Sequence, residues 1–456
     1  MVNDMTRGKP AKILVTFMWP MLLGNIFQQL YNIVDTIIVG NYVGADALAA
    51  VGSTAAMVFL LVAIAMGLSM GCSVLISQYF GAGDREKMRR AVFTSMAFIL
   101  IVGVLVTILG LAISNWLLHL IQTPENIFEG ASTYINIYYM GCLFLFVYNG
   151  LAAICRAIGD SKTPLYFLIV AALLNVVLDL VFVIYFNMGV AGVAWATLIA
   201  QGVSAMTCFI YVYFRVPLLR ITKEDCVFDP KMLKDLLIYA IPSTIQQCIV
   251  SFSMVAIQGL VNSFGSVFIA GYTAATKIDS IAIQPLLSIT MALSTYTAQN
   301  MGAGKVERVS KGFKVTVMFV LVMCVIISGM IFLFGDNFIG AFVDSVADAE
   351  VINIGVQYIQ IVSIFYLVMG LMFTAGSVLR GAGDSTAFMI GSLCNFVVRI
   401  ISAYVLAGFL GASAIWWSIP LGWFCGLMVN FIRYKSGKWK SKSLVGRKIK
   451  LEKVES

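Results

Sequence analysis

The chain has very little charge for its length. Only 11% of its 456 residues are Asp, Glu, Lys or Arg, whereas ordinary globular proteins carry roughly 25%. Hydrophobic residues make up 60% of the chain, and the mean hydropathy is +0.94. Such a composition cannot cover a water-exposed surface with polar groups, so a soluble protein is excluded. Apolar runs repeatedly exceed ~18 residues and lack strand-like alternation, which predicts membrane-spanning helices rather than a β-barrel.

Residues that perform nucleophilic or metal chemistry are also scarce. His119 is the only histidine, so a histidine-based metal site or catalytic triad has almost no support. The nine cysteines are scattered without a CxxC pair and are interpreted as small apolar packing residues. No HExxH motif occurs. We therefore expect a protein that is not an enzyme and that needs no cofactor.

The apolar runs are separated by clusters of charge, Gly, Pro or Asn, and they predict twelve helices. The predicted limits are 13–40, 48–78, 89–118, 127–155, 163–186, 190–214, 235–263, 267–298, 310–335, 351–379, 386–409 and 412–433.

Basic residues are distributed on one side of the predicted membrane. Alternate connections and the two ends of the chain hold 28 of the 30 Lys and Arg residues. The positive-inside rule therefore predicts that both termini are cytoplasmic, which agrees with an even number of spans. The basic tail accounts for much of the net charge of +8 and is expected to lie near anionic lipid, so no nucleic-acid partner is expected. The other five connections hold no basic residue and carry seven acids, Asp46, Glu125, Glu129, Asp336, Asp344, Asp348 and Glu350.

The chain repeats itself with an offset near 221 residues. Residues 78–83 (QYFGAG) return as 299–304 (QNMGAG), and 156–161 (RAIGDS) return as 380–385 (RGAGDS). The Gly-Ala-Gly segments are interpreted as helix caps and tight turns rather than phosphate-binding loops. Six spans per half predict an all-α membrane protein of two parallel six-helix bundles, related by a pseudo-twofold axis along the membrane normal. The predicted domains are an N-terminal bundle (1–214), a cytoplasmic linker (215–234), a C-terminal bundle (235–434) and a basic cytoplasmic tail (435–456).

One acid lies deep in the first predicted span. Gln28, Tyr31 and Asp35 share one helical face. An acid in an apolar span is costly and usually faces a cavity or a transport path. Pro20 removes a backbone donor earlier in the same span, so a bend is expected there.

A second acid lies in the fifth predicted span. Asn175 and Asp179 are four residues apart, on one helical face. Asp35 and Asp179 are at similar depth, so a shared polar pocket is expected. Two carboxylates with an amide and a hydroxyl nearby could hold a dehydrated Na⁺. They could equally share a proton, because burial and mutual repulsion favour a neutral carboxyl group.

The second half of the chain lacks a matching acid pair. Asn395-x3-Arg399 aligns with Asn175-x3-Asp179, and the region that matches Asp35 is apolar. We therefore expect the ion-responsive site in the N-terminal half only. Asp279, Lys277 and Arg399 are interpreted as structural ion pairing rather than a second coupling site.

Taken together, the motifs above, from Pro20 to the twelve-span layout, resemble the multidrug and toxic compound extrusion (MATE) transporters. The resemblance implies two bundles around a V-shaped cavity, alternating access, and export of cationic or amphipathic drugs in exchange for H⁺ or Na⁺. It also implies a cluster in which Thr197 and Asn149 join the residues named above. Asp35, Asn175, Asp179 and Thr197 would then bind the coupling ion, as metal ligands if it is Na⁺, while Gln28, Tyr31 and Asn149 line the cavity and Pro20 bends the helix.

The sequence departs from one branch of that family and leaves alternatives open. Helices seven and ten offer Gln246, Gln247, Tyr358 and Tyr366 but no embedded acid, which favours coupling through the N-terminal bundle. A flippase for lipid-linked precursors is the alternative function, although only two basic residues fall inside spans. We expect a monomer in the plasma membrane that binds small cationic or amphipathic molecules.

Overall fold

The computed structural model describes residues 3–220, 225, 227–341 and 349–445. Several residues used above lie outside this described part: Lys223 and Cys226 of the linker region, Asp344 and Asp348 of an outer connection, and 446–456 of the tail.

The described part is helical, with no strand assigned in it. Its α-helices are α1 (Pro10–Ile38), α2 (Ala45–Ala82), α3 (Arg85–Leu120), α4 (Glu125–Ala157), α5 (Lys162–Leu180), α6 (Gly189–Arg215), α7 (Pro230–Asn262), α8 (Ser266–Ala282), α9 (Gln284–Gly302), α10 (Val306–Gly340), α11 (Ala349–Ile364), α12 (Tyr366–Ala382), α13 (Ser385–Leu410) and α14 (Ala414–Lys435).

These helices account for all twelve predicted spans. Two spans are bent pairs, α8 with α9 at 41° and α11 with α12 at 49°. The run Ser385–Lys435 is long enough for two crossings and contains α13 and α14, joined by a short 3₁₀ turn at Gly411–Ser413. The predicted fold class, an all-α membrane protein of two helical bundles, is confirmed.

Backbone contacts divide the chain into two compact units. Unit 1 comprises Met1–Asp4 and Leu23–Gln247, and unit 2 comprises Met5–Leu22 and Cys248–Ser456. The division falls inside α1 and α7, a few residues after Pro20 and Pro242. Both prolines lie within continuous helices, where each leaves one upstream carbonyl without its usual intrahelical donor. The predicted boundaries at 214 and 234 stay a prediction.

Glycine ends two helices at the repeated Gly-Ala-Gly segments. Gly83 has a φ of +78° and its N–H donates to Phe80 and Tyr79 at the end of α2. Gly304 has a φ of +71° and closes α9 by donating to Met301. Because other residues rarely adopt this left-handed conformation, the positions require glycine. The capping interpretation of these segments is confirmed.

In unit 2, the N-terminal segment (residues 5–8) is held by the end of α9 and the start of α10. Met5 is fully buried, and its N–H donates to Gln299 Oε1 at 2.9 Å. Its carbonyl accepts from Asn300 Nδ2 and Arg308 Nη2, each at 3.2 Å. Gln299 and Asn300 open the second of the repeated QxxGAG segments, which therefore has a docking role as well as a capping role.

Candidate functional site

Four helices of unit 1 each contribute two polar residues one helical turn apart. Because residues four apart lie on the same helical face, each pair presents both of its side chains in one direction. The pairs are Tyr31 and Asp35 on α1, Tyr134 and Tyr138 on α4, Asn175 and Asp179 on α5, and Thr197 and Gln201 on α6.

Asp35 and Asp179 are direct neighbours, and we refer to them as the acid pair. Their carboxyl groups interact electrostatically and lie within hydrogen-bonding reach of each other. Asp179 is fully buried, and Asp35 is half-buried. Two carboxyl groups can hydrogen-bond to one another only when one of them carries a proton. The structure therefore brings these two predicted residues together, and their joint role in ion coupling stays a prediction.

The acid pair lies among oxygen atoms that have no donor. Among the described residues, no N–H or O–H donor is assigned to Asp35 Oδ1, Asn175 Oδ1 or either carboxyl oxygen of Asp179. Asn175 is 2% exposed, and its Nδ2 donates to Thr197 Oγ1 at 3.4 Å. This bond fixes the amide so that its oxygen remains free. Buried acceptors without donors are costly, and binding a proton or a small metal cation would satisfy them.

Two tyrosines of unit 1 lie close enough to the acid pair to act on its charge. Tyr31 and Tyr134 both interact electrostatically with Asp35 and Asp179. Tyr138 lies within hydrogen-bonding reach of Gln201. The sequence analysis did not single out Tyr134, Tyr138 or Gln201. The sequence signal for these residues is a spacing of four, between Tyr134 and Tyr138 on α4 and between Thr197 and Gln201 on α6.

Both acid-bearing helices end in a π-helical segment. The first segment, Val39–Val43, begins four residues after Asp35, and the second, Val181–Tyr185, begins two residues after Asp179. In each, an N–H donates five residues back, from Gly44 to Val39 and from Phe186 to Val181. Such π-turns are rare and often occur at functional sites.

Apolar side chains from the two π-helical segments pack in one cluster of unit 1. Val39 and Val183 are buried in it, and Tyr134 packs against its edge. Tyr134 also interacts electrostatically with both acids, so this one side chain is shared by the polar site and the edge of the apolar cluster. The cluster consists of Ile38, Val39, Ala47, Val183 and Val193, with Val34, Val43, Val51, Tyr134 and Val190 packed against it.

Three other residues of the predicted site have no described contact with the two acids. Gln28 is exposed on α1, two turns before Asp35. Asn149 is half-buried and donates to the Leu145 carbonyl of its own helix at 2.9 Å. Pro20 is buried within α1 but belongs to unit 2. Their proposed roles stay predictions. No group of three or more His, Cys, Asp or Glu side chains suited to a metal occurs within the described ranges.

The fold and this buried acid cluster define a multi-pass membrane transporter. The chain belongs to the MatE family, whose model matches residues 20–181 and 242–405. This is a family of multidrug transporters rather than of enzymes.

Two relatives match nearly the whole chain. It is 31% identical over 450 residues to the probable multidrug resistance protein YpnP of Bacillus subtilis, covering 98% of this chain and 99% of YpnP. It is 24% identical over 446 residues to the probable multidrug resistance protein NorM of Thermotoga maritima, covering 96% of this chain and 94% of NorM.

Solved structures share the fold. A crystal structure of MATE in complex with MaL6 matches with a TM-score of 0.90 at 24% identity, over 95% of this chain and 97% of that one. An outward-facing multidrug resistance MATE transporter of the MOP superfamily matches with a TM-score of 0.89 at 25% identity, over 95% and 96% of the two chains. A flippase of a related fold is not favoured by these relatives.

Proposed function

We propose that this protein exports cationic or amphipathic drugs and other toxic organic compounds in exchange for H⁺ or Na⁺, by alternating access. The supporting observation is the acid pair of Asp35 and Asp179, which is buried in unit 1 beside oxygen atoms that lack donors. Membership of the MatE family supports drug export. The coupling ion and the direction of exchange are proposed from the chemistry of the acid pair.

Charge compensation supports exchange between an ion and a cationic drug. Two neighbouring carboxyl groups in a low-dielectric interior cannot both remain charged without a cation. A proton shared between them, or a sodium ion held by Asp35, Asp179, Asn175 and Thr197, removes this charge. The neutral site then binds a cationic drug less well. The ion and the drug therefore compete for the same negative charge, which is the differential affinity that an exchanger requires.

We propose that ion binding also changes the shape of α1. Pro20 leaves a carbonyl free in the preceding turn, which makes this part of the helix easier to bend. Neutralising Asp35 removes its electrostatic interaction with Asp179 on α5. A change in the position of α1 then lowers the affinity of the cavity for drug on the outer side. The loaded carrier returns and releases the ion inside.

We propose that the protein acts in the plasma membrane with both termini in the cytoplasm. Its partners are then the surrounding lipid and its small-molecule substrates, and it works as a monomer. The distribution of basic residues supports this orientation. The position of the described basic tail residues 435–442 after α14 is consistent with a surface near anionic lipid.

The test is uptake of a fluorescent cationic dye into inverted vesicles. The wild-type protein and an Asp35→Asn variant are compared with an acid vesicle interior, with a high-sodium interior, and without a gradient. The matched control is Asp46→Asn, which removes an exposed acid at the start of α2.

We expect one of the two gradients to drive uptake by the wild type and by Asp46→Asn. The Asp35→Asn variant should be inserted normally and give no gradient-driven uptake. Uptake by Asp35→Asn at the wild-type rate would contradict the coupling role. Equal uptake with no gradient would contradict exchange.

A further inference from the structure

Unit 2 contains two bent spans, and both bends are local. The first lies at Ile283, between α8 and α9, where the direction changes by 41°. The second lies at Phe365, between α11 and α12, where it changes by 49°. Side-chain contacts close to these two breaks can help to hold the changes of direction in the neighbouring spans.

One side-chain hydrogen bond connects these two bends. The Tyr366 hydroxyl donates to the Asp279 carboxylate. Asp279 lies one turn before the first bend, and its carbonyl accepts from the N–H of Ile283 itself, at 3.1 Å. Tyr366 is the first residue after the second bend and is fully buried. The hydrogen bond therefore joins the two positions at which the spans change direction.

The partner of Asp279 differs from the one expected from the sequence. We expected structural ion pairing with Arg399 and Lys277. The hydrogen-bond donor is Tyr366, and Arg399 acts on Asp279 through its charge. Within the described residues, Arg399 Nε is buried and has no hydrogen-bond partner.

Other ionisable groups face this site from the surrounding helices. Tyr272 on α8 and Tyr358 on α11 interact electrostatically with both Asp279 and Arg399. Cys324 on α10 interacts with Tyr366. From α14 come two aromatic rings without ionisable groups: Trp416, whose centroid is 5.3 Å from that of Tyr358, and Trp423, whose centroid is 6.3 Å from that of Tyr366.

A tyrosine partner can adapt to a change in the protonation of the acid. A guanidinium can only donate hydrogen bonds, and it binds the ionised carboxylate more strongly than the protonated acid, which has lost the negative charge. A tyrosine hydroxyl both donates and accepts. It can donate to ionised Asp279 and, after rotation, accept from protonated Asp279. The pair therefore remains hydrogen-bonded in both protonation states.

We propose that Asp279 and Tyr366 form a second proton-exchange site, in unit 2, whose occupancy sets the two bends. The proton comes from water and adds to a carboxylate oxygen of Asp279, and the Tyr366 hydroxyl changes from donor to acceptor. Neutral Asp279 no longer offsets the charge of Arg399, so the arrangement of α8, α12 and α13 changes with it. The proposal does not depend on coupling at Asp35 and Asp179.

Infrared difference spectroscopy tests the proton site directly. The full-length protein in lipid, carrying Asp35→Asn and Asp179→Asn, is titrated from high to low pH. We expect a carboxyl band of a protonated, water-excluded acid that disappears when Asp279→Asn is added. Because Tyr366 hydrogen-bonds to this group, Tyr366→Phe should shift the frequency of the band. Tyr404→Phe is the control, since Tyr404 is 52% exposed and its hydroxyl faces the Ala256 carbonyl.

The absence of any difference band that depends on Asp279 would show that the acid does not exchange its proton in this pH range and would overturn the proposal. A band that depends on Asp279 and is unchanged by Tyr366→Phe would also overturn it. Because both acids of unit 1 are replaced in this background, failure here leaves the proposed function of unit 1 untouched.

Backbone deuterium exchange tests the link to the bends without relying on Asp279 variants. Tyr366→Phe keeps the ring and removes only the hydroxyl. We expect exchange to increase several-fold in the peptides that contain Ile283 and Phe365, while Tyr404→Phe leaves both unchanged. An increase confined to the peptide that carries the substitution would contradict the link between the two bends.

Discussion

Gly71 on α2 lies directly against the backbone of Ala240 on α7, so that a Cβ atom added at Gly71 would overlap the Ala240 Cα. Gly67, one turn earlier, meets Thr244 in the same way. The two glycines form a GxxxG pattern, which lets helix backbones approach closely in a membrane. The contact fixes the first part of α7 within unit 1.

Replacing Gly71 by Ala should therefore destabilise the protein. The added methyl group must push α2 and α7 apart, and overpacking of this kind costs about 1–3 kcal/mol. We expect a lower apparent melting temperature and less folded protein in detergent, measured by fluorescence-detected size exclusion after heating. Gly52→Ala on the same helix is the control, because an added Cβ there meets no atom within 4 Å. Equal melting of the two variants would show that the helices can separate without cost.

Neutralising the fully buried member of the acid pair should separate function from stability. We expect Asp179→Asn to reduce gradient-driven dye transport at least tenfold, because it removes half of the charge that the ion and the drug compete for. Its thermal stability should equal or exceed that of the wild type, since it also removes repulsion between neighbouring carboxylates. Asp336→Asn, an exposed acid on α10, serves as the control. Transport within twofold of wild type would exclude a coupling role for Asp179.

The Asn175–Thr197 hydrogen bond should tune the acid site. Thr197→Val keeps the side-chain shape but leaves the buried Asn175 amide without its acceptor, which costs about 1–3 kcal/mol. The amide is then free to rotate, so its oxygen is no longer held in position for a cation. We expect the concentration of coupling ion at half-maximal transport to rise several-fold. The control is Thr207→Val, which changes an exposed residue on the same helix and should leave this concentration unchanged. An equal effect of the two variants would contradict the role of Thr197 in the acid site.

Arg308 should hold the N-terminal segment within unit 2. Its Nη2 donates to the carbonyls of Met5 and Gly8, at 3.2 and 3.0 Å, and its Nε donates to Asn300 Oδ1 at 3.0 Å. Hydrogen bonds to charged groups contribute about 1.5–3 kcal/mol. Arg308→Ala should therefore increase deuterium exchange of the N-terminal peptide at least tenfold. The control is Lys311→Ala, which removes an exposed charge on the same helix and should leave the deuterium exchange of the N-terminal peptide unchanged. If the peptide stayed protected in Arg308→Ala, Gln299 and Asn300 would be enough to hold the segment.

The spans could be predicted from the sequence because composition alone separates lipid-buried runs from charged connections. The bend at Ile283 has a local signal, since Pro285 follows within the first turn of α9. The bend at Phe365 has none: neither proline nor glycine lies at the break. The side-chain hydrogen bond nearest to this break is the one from Tyr366 to Asp279 on another helix, which a local sequence pattern cannot show.

The site could be predicted in part. Asp35 and Asp179 stand out because a carboxylate in an apolar run is costly wherever it points. Tyr134 and Tyr138 do not stand out, because the polar and apolar residues of α4 are spread around the helix without a distinct polar face. Its sequence therefore does not show which face meets the acids. The π-helical segments could not be predicted either, because one extra residue at an apolar helix end does not change the hydrophobicity of that part of the sequence.

The first π-helical segment gives α1 a spare residue directly after the acid. A π-turn closes over five residues instead of four. If Val39–Val43 rewound into an ordinary α-helix, the helix before it would turn by about 100° and shift by about 1.5 Å relative to Gly44. Tyr31 and Asp35 share one face, so both would leave the acid site in a single step. Such a screw motion would disconnect the acid from its partners while the end of α1 exchanges π-helical for α-helical hydrogen bonds, so that no further backbone group is left exposed to lipid.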